Sequence, residues 1–65
     1  MYNKIWYAVM MDKDDNDWGT GSFDLTAAKQ RARQMRDNGY PDAYIVVIDD
    51  GDDPVAIDVI TDIDD

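Results

Sequence analysis

Short apolar runs separated by acidic breaks dominate the chain, and the densest of them lie in its second half. Residues 43–48 and 55–60 form two β-branched runs, and the break between them holds aspartates, one glycine and one proline. This pattern predicts a β-hairpin. We favour a five-residue loop, residues 49–53, over a two-residue turn at residues 50–51, because Pro54 has no N–H for a ladder hydrogen bond.

The five-residue loop also predicts which face of the sheet each side chain occupies. It pairs Val47 with Val55, and Ile45 with Ile57, and alternation then places Asp58 on the solvent side. The same alternation turns five apolar side chains of this hairpin toward a covering helix: Ile45, Val47, Val55, Ile57 and Val59.

Residues 25–37 are expected to form that helix. Leu25, Ala28, Ala32 and Met35 recur at helical spacing. Asp24 precedes them as a suitable N-cap, because its carboxylate accepts hydrogen bonds from the first turn. Residues 38–41 should end the helix, since Gly39 adopts left-handed backbone angles in a Schellman motif and Pro41 cannot continue a helix.

The first strand is predicted over residues 4–11, an aromatic and β-branched run without a breaker. Residues 18–23 are compatible with a short additional edge strand or with a sharply turned segment anchored by Trp18 and Phe23. We therefore expect one small α+β domain over residues 1–65. It is a βαββ fold with a three-stranded mixed sheet in the order 1-2-3, one helix on one face, and strands one and two parallel. Residues 62–65 are expected to fray.

Composition restricts the chemistry of the chain. Cysteine and histidine are both absent from its 65 residues, which removes thiolate metal sites, the commonest metal ligand and the commonest general base. No apolar run reaches the roughly 20 residues of a membrane span. These features favour a cytoplasmic, non-enzymatic protein without a cofactor.

Charge is the other restriction, because six basic residues stand against fifteen acids, all of them aspartate. The formal net charge of −9 argues against direct binding of nucleic acid. If strands one and two were parallel, the two aspartate-rich loops would form one acidic ridge, resembling the phosphate row of a nucleic acid. Its residues would be Asp12, Asp14, Asp15, Asp17, Asp49, Asp50, Asp52 and Asp53.

Other candidate sites have simpler interpretations. An EF-hand loop begun at Asp12 has Asp17 at its glycine position and Phe23 at its glutamate position, so we expect no metal site. Residues 19–22 lack the third glycine and the lysine of a phosphate-binding loop. Lys29, Arg33 and Arg36 would form a basic stripe on the helix, either for docking or to offset the surrounding aspartates.

Apolar residues on both faces of strands one and two predict an uncovered patch, because a single helix covers one face only. Its candidate residues are Trp6, Met10, Tyr44, Val46 and Ile60. Trp18, Phe23 or Tyr40 would cover part of it; otherwise the patch binds a protein partner or a second copy of the chain.

The stretch from Asp17 to Leu25, followed by residues 40–45, resembles short acidic bacterial or phage proteins of unknown function. The resemblance covers most of the chain but rests on turns and caps, so it implies no activity. The expected function is therefore a small acidic module that binds another macromolecule. Two alternatives are a nucleic-acid mimic that inhibits a nucleic-acid-binding enzyme, and a salt-adapted domain whose acidic surface has no specific role.

Overall fold

The computed structural model describes residues 4–63. Five elements follow one another: β1 (Ile5–Met10), β2 (Gly21–Ser22), α1 (Leu25–Asp37), β3 (Tyr44–Asp49) and β4 (Val55–Ile60). They form a small α+β domain, as predicted, with one helix against a four-stranded sheet.

The sheet has the order β2-β1-β3-β4, and every neighbouring pair among the described strands is antiparallel. The predicted three-stranded mixed sheet is therefore wrong in strand number and in the direction of strand two. The full order differs from 1-2-3 because β2 is added outside β1, while β1, β3 and β4 are neighbours as predicted. The alternative of a short edge strand within residues 18–23 is confirmed. The cause of the wrong direction is β2, which lies within the segment 18–23 and pairs antiparallel with β1 at Tyr7 and Ala8. This extra reversal means that α1 returns the chain to the end of β1, and β3 then runs antiparallel to β1.

The predicted helix bounds are confirmed. Asp24 caps the helix, and its carboxylate accepts a hydrogen bond of 3.1 Å from the N–H of Thr26. At the other end the N–H of Tyr40 donates to the carbonyl of Met35 over 2.9 Å, while Gly39 has a φ of +106°. This 6→1 bond and the left-handed glycine are the predicted Schellman motif.

The main core lies between α1 and the sheet. Ala28 and Ala32 are fully buried against Val9 and Ile45, with Leu25, Met35, Tyr7 and Ile60 around them. The helix packs on β1, β2 and β3 and leaves β4 uncovered. Its two alanines allow a close approach to the sheet, so the sheet side chains supply most of the buried apolar area.

Ile63 also belongs to this core and is completely buried. The expectation that residues 62–65 fray is therefore wrong for Ile63, while residues 64–65 lie outside the described residues. Burial of this isoleucine contributes roughly 1.5–3 kcal/mol to holding the chain end against the helix.

The predicted pairs Val47–Val55 and Ile45–Ile57 are wrong, because Asp49 belongs to β3 and pairs with Val55, which makes the loop residues 50–54. A β-bulge then shifts the register by one further residue. Asp49 pairs with Val55 and Ile48 with Ala56, but Val47 pairs with Asp58, so Ile57 is the extra residue in β4. The shift of one residue moves all later side chains to the other face of the sheet.

The predicted faces of β4 are therefore wrong beyond the bulge, whereas Val55, opposite Asp49, keeps its predicted face but lies outside the area that the helix covers. Val59 lies opposite Val46, on the face away from the helix, and Ile60 lies opposite Ile45, on the helix side. Asp58 lies opposite Val47, but beyond the area that the helix covers. Val55, Ile57 and Val59, which were expected in the core, are instead 51%, 55% and 52% exposed.

Candidate binding surface

Trp6, the largest residue of the predicted partner surface, is partly covered by its own chain. Its indole Nε1–H donates a hydrogen bond of 2.7 Å to the carbonyl oxygen of Trp18. The ring of Phe23 stands edge-on against the Trp6 ring, with 4.7 Å between centroids. Lys4 places its ammonium 5.8 Å from the centroid of Phe23. Trp18 and Phe23 thus contact Trp6 and cover the apolar face where Trp6 lies, as one of the alternatives predicted.

The remaining residues of that predicted surface divide among three locations. Met10 and Val46 are buried in a second cluster, together with Ala8 and Ile48, on the face away from the helix. Tyr44 is half-buried at the border of this cluster. Ile60 packs on the helix side, because of the bulge, and does not belong to this face.

The apolar side chains that remain open lie on β4. Val55, Ile57 and Val59 are each more than half exposed, and every residue of β4 before Ile60 is exposed. We call these three side chains the β4 surface. Sequence reasoning missed it for two reasons: the bulge turns Val59 away from the helix, and the helix does not extend over β4, so that Val55 is exposed on the helix side.

Within residues 4–63, β4 is the last strand of the sheet, so no described strand pairs with the outer edge of its backbone. The N–H of Asp50 donates a hydrogen bond to the carbonyl of Lys4, which extends the β1–β3 ladder by one pair. Hydrogen-bonded pairs alternate along an antiparallel ladder, so the N–H of Val46, four residues earlier, also points toward β1. Val59 is the residue of β4 that pairs with Val46. Because the N–H of Val46 points toward β1, the N–H of Val59 points to the outer edge of the sheet. There the carboxylate of Asp58 accepts from it over 2.8 Å.

Asp58 thus satisfies one donor of an edge that would otherwise be free for strand pairing. The charged Asp58, the bulge and Pro54 next to the start of β4 are all features with which natural sheets limit pairing at an edge.

Two open concavities lie at the two ends of β4, and each combines apolar and acidic residues. The larger, of about 620 Å³, is lined by Asp12, Lys13, Asp14, Asp42, Tyr44, Val59 and Thr61. We call it the Tyr44 concavity. The smaller, of about 280 Å³, is lined by Trp6, Trp18, Ile48, Asp50 and Pro54. We call it the Trp6 concavity.

The proposed acidic ridge is not brought together as one surface. Met10 pairs with Tyr44, and Ile5 pairs with Asp49, so the loop after β1 and the loop after β3 leave from opposite ends of the sheet. Five residue steps along an antiparallel strand correspond to about 17 Å. Asp12 and Asp14 line the Tyr44 concavity, whereas Asp50 lines the Trp6 concavity.

Within the loop after β1, the carboxylates bind the backbone of their own segment. Asp12 accepts from the N–H of Asp14, Asp15 from that of Asp17, and Asp17 from that of Gly19, over 2.8 to 3.0 Å. Each bond reaches the residue two positions on, which is the Asx-turn geometry. The aspartate side chain has the length for this local bond, which gives a structural reason for aspartate at these positions.

Asp15 accepts a second bond, of 3.0 Å, from the N–H of Met11. The hydrogen bonds from Asp17 and Met11 stabilise its charged form and hold the pKa of the Asp15 carboxyl below its ordinary value, although slight desolvation opposes them. A lowered pKa keeps this carboxylate ionised near neutral pH, so it fits a turn and not a general acid.

Two arginines of the predicted basic stripe bind backbone oxygens. Arg36 donates from Nε to the carbonyl of Ala43 over 3.0 Å, and from its terminal nitrogen to that of Thr61 over 2.9 Å. Arg33 donates to the carbonyl of Ile63 over 3.2 Å. These bonds join the helix to the residue before β3 and to the segment after β4, a role that the spacing of the charges did not indicate.

The glycine-rich segment before the helix has a packing role. Gly21 faces the backbone of Tyr7 and Ala8 so closely that a Cβ at this position would collide with it. Ser22 accepts from the N–H of Asp24 over 3.0 Å, next to the helix cap. This segment therefore positions β2 on β1.

Residues 4–63 contain no group of three or more metal-ligating side chains placed to hold an ion. The helix they include is not long and apolar enough to cross a membrane. Comparison of the chain with protein-family models, with curated proteins and with solved structures gave no match.

Proposed function

We propose that this protein is a small, non-enzymatic interaction module that acts by binding another macromolecule, and that it does so through the β4 surface. The observation that carries the proposal is the exposure of Val55, Ile57 and Val59 along the open edge of the sheet. Isolated exposed apolar residues are ordinary, but here three lie on one edge strand. Val55, opposite Asp49, and Val59, opposite Val46, lie on opposite faces of the sheet, so a partner at this edge would meet apolar side chains on both faces.

The chemistry of the chain supports binding over catalysis. Without histidine and cysteine, Ser22 and the other hydroxyl groups lack the base that usually activates a nucleophile. Carboxylates of the loop after β1 accept hydrogen bonds from their own backbone, as in structural turns.

Affinity capture from a lysate of the organism that encodes the protein tests this function. Three baits are compared: the wild type, the double variant Ile57→Ser with Val59→Ser, and Tyr40→Ser. Tyr40 is 44% exposed at the end of the helix, so its variant removes a similar exposed side chain away from β4.

We expect at least one protein to be retained by the wild type and by Tyr40→Ser, and to fall about tenfold with the β4 double variant, a loss equal to about 1.4 kcal/mol. The same set of retained proteins on all three baits would reject binding through β4. It would favour the alternative in which the acidic surface serves solubility alone.

A further inference from the structure

The edge strand β4 runs between the two concavities, and residues at or next to each of its ends contribute to their linings. Val59 lines the Tyr44 concavity, and Pro54, next to the start of β4, lines the Trp6 concavity. The five steps between these residues cover about 17 Å of extended chain. A bound strand of six or seven residues would therefore reach from one concavity to the other.

The backbone groups at this edge determine what kind of partner fits. Val59 directs its N–H outward, where a neighbouring carboxylate is its partner. A helix cannot bond such groups with its own backbone, since its N–H and C=O groups are already paired internally. An extended segment can bond them, as in strand addition to a sheet edge.

The charge at both ends of β4 determines the sign of the partner. Three aspartates and one lysine line the Tyr44 concavity, and Asp50 lines the Trp6 concavity. Tyr44 contributes an aromatic ring beside the three carboxylates, a combination that favours a lysine or arginine side chain.

A second copy of the chain fits this edge poorly. Each copy has a formal net charge of −9, so their approach is opposed. Antiparallel pairing of two β4 strands would also bring the exposed Asp58 carboxylates of the two copies onto the same short ladder, where like charges are unfavourable.

Resting on the proposed function, we propose that the partner of this module is a basic, extended protein segment. It adds as a fifth strand to the open edge of β4 and places a lysine or arginine side chain in the Tyr44 concavity. Asp58 releases the N–H of Val59 to the incoming carbonyl and pairs with a cationic side chain of the added strand. The apolar side chains of that strand cover Ile57 and Val59.

The probe is an acetylated and amidated heptapeptide that alternates arginine with valine, titrated into the ¹⁵N-labelled protein. One control peptide carries glutamate in place of arginine. The other keeps the sequence and charge of the probe but is N-methylated at its five central residues, which removes the donors needed for strand pairing.

We expect the probe to shift the amide resonances of β4 and to slow hydrogen exchange at Val59. The N-methylated peptide should bind about tenfold more weakly, and the glutamate peptide more weakly still. Asp14→Asn with Asp42→Asn should weaken binding of the probe about threefold at low salt, because the charges at the concavity are removed. Asp37→Asn, an exposed charge on the helix, should not.

Equal binding of the probe and its N-methylated form would overturn the proposal, because it would show attraction by charge alone. Shifts confined to the acidic loops would overturn it too, and so would a wild-type dimer that already protects the amide of Val59. If the probe fails but capture still depends on Ile57 and Val59, the binding module stands and the basic strand is rejected. If both fail, both proposals are rejected.

Discussion

The guanidinium of Arg36 donates a hydrogen bond of 2.9 Å to the carbonyl oxygen of Thr61 and thereby joins the helix to the chain that leaves β4. The same side chain donates to the carbonyl of Ala43, just before β3. One arginine thus binds the residue just before β3 and the residue just after β4, at the end of the hairpin opposite its loop. The helix does not cover β4 itself.

Replacing Arg36 with alanine is therefore expected to lower the free energy of unfolding by about 1–3 kcal/mol, the usual range for bonds from a charged donor. Urea denaturation measures this quantity. Arg31→Ala removes the same charge from an exposed position of the same helix and should change stability by less than about 0.5 kcal/mol. Equal effects of the two substitutions would show that net charge, and not the two bonds, matters here.

Trp6→Phe should lower the free energy of unfolding by roughly 1–2 kcal/mol, because the half-buried indole loses its bond to the Trp18 carbonyl and part of its packing. Trp18→Phe is the matched control, since the accepting group is a backbone oxygen that remains. The effect of Trp18→Phe should be clearly smaller in the same urea titration. The reverse order would contradict the described role of this bond.

Ile63→Ala should cost about 2–4 kcal/mol, in the range of buried isoleucine-to-alanine substitutions. In a domain this small, such a loss is a large part of the total stability. Asp62→Ala alters an exposed neighbour and should stay within about 0.5 kcal/mol of the wild type. Thermal unfolding followed by circular dichroism compares them, and an unchanged midpoint for Ile63→Ala would mean that the chain end is loose after all.

The lowered pKa of Asp15 predicts a specific pH dependence. Because the folded-state pKa lies below the unfolded one, the contribution of Asp15 is present above the unfolded value near about pH 4 and is lost as pH falls through the folded value. Asp15→Asn should therefore flatten the dependence of stability on pH below about pH 4. Asp53→Asn, the same change in an exposed loop, serves as the control in urea titrations at several acidic pH values. Identical slopes for wild type and Asp15→Asn would contradict this prediction.

Short-range interactions allowed the helix to be predicted from the sequence. The bounds of α1 depend on interactions within a few residues of the chain: the cap at Asp24, the helical spacing of the alanines, and the left-handed backbone of Gly39. These interactions are visible in the sequence, so the bounds could be predicted from it. The same holds for the two hairpin strands, where β-branched runs end at aspartates and proline. The α+β class was accessible at this level.

Strand direction was not accessible, because it depends on a two-residue strand. Gly21 allows the backbone of β2 to approach β1, and this short pairing reverses the chain before the helix. The reversal makes β3 antiparallel to β1 and separates the acidic loops that a parallel pair would bring together. The sequence left a short edge strand open as one of two alternatives for residues 18–23, and two residues show no periodicity that could decide between them.

The sequence by itself determined that β4 is apolar, interrupted by Asp58 and preceded by a proline-containing loop. The tertiary structure decided which way its side chains point. One extra residue at Ile57 turns Val59 away from the helix and brings Ile60 against Ile45, and beyond them Ile63 enters the core. Side-chain alternation has a period of two, so a single inserted residue changes the face of all that follow. Alternation alone does not reveal such an insertion, so the pairing of β4 with β3 in the folded chain decides it.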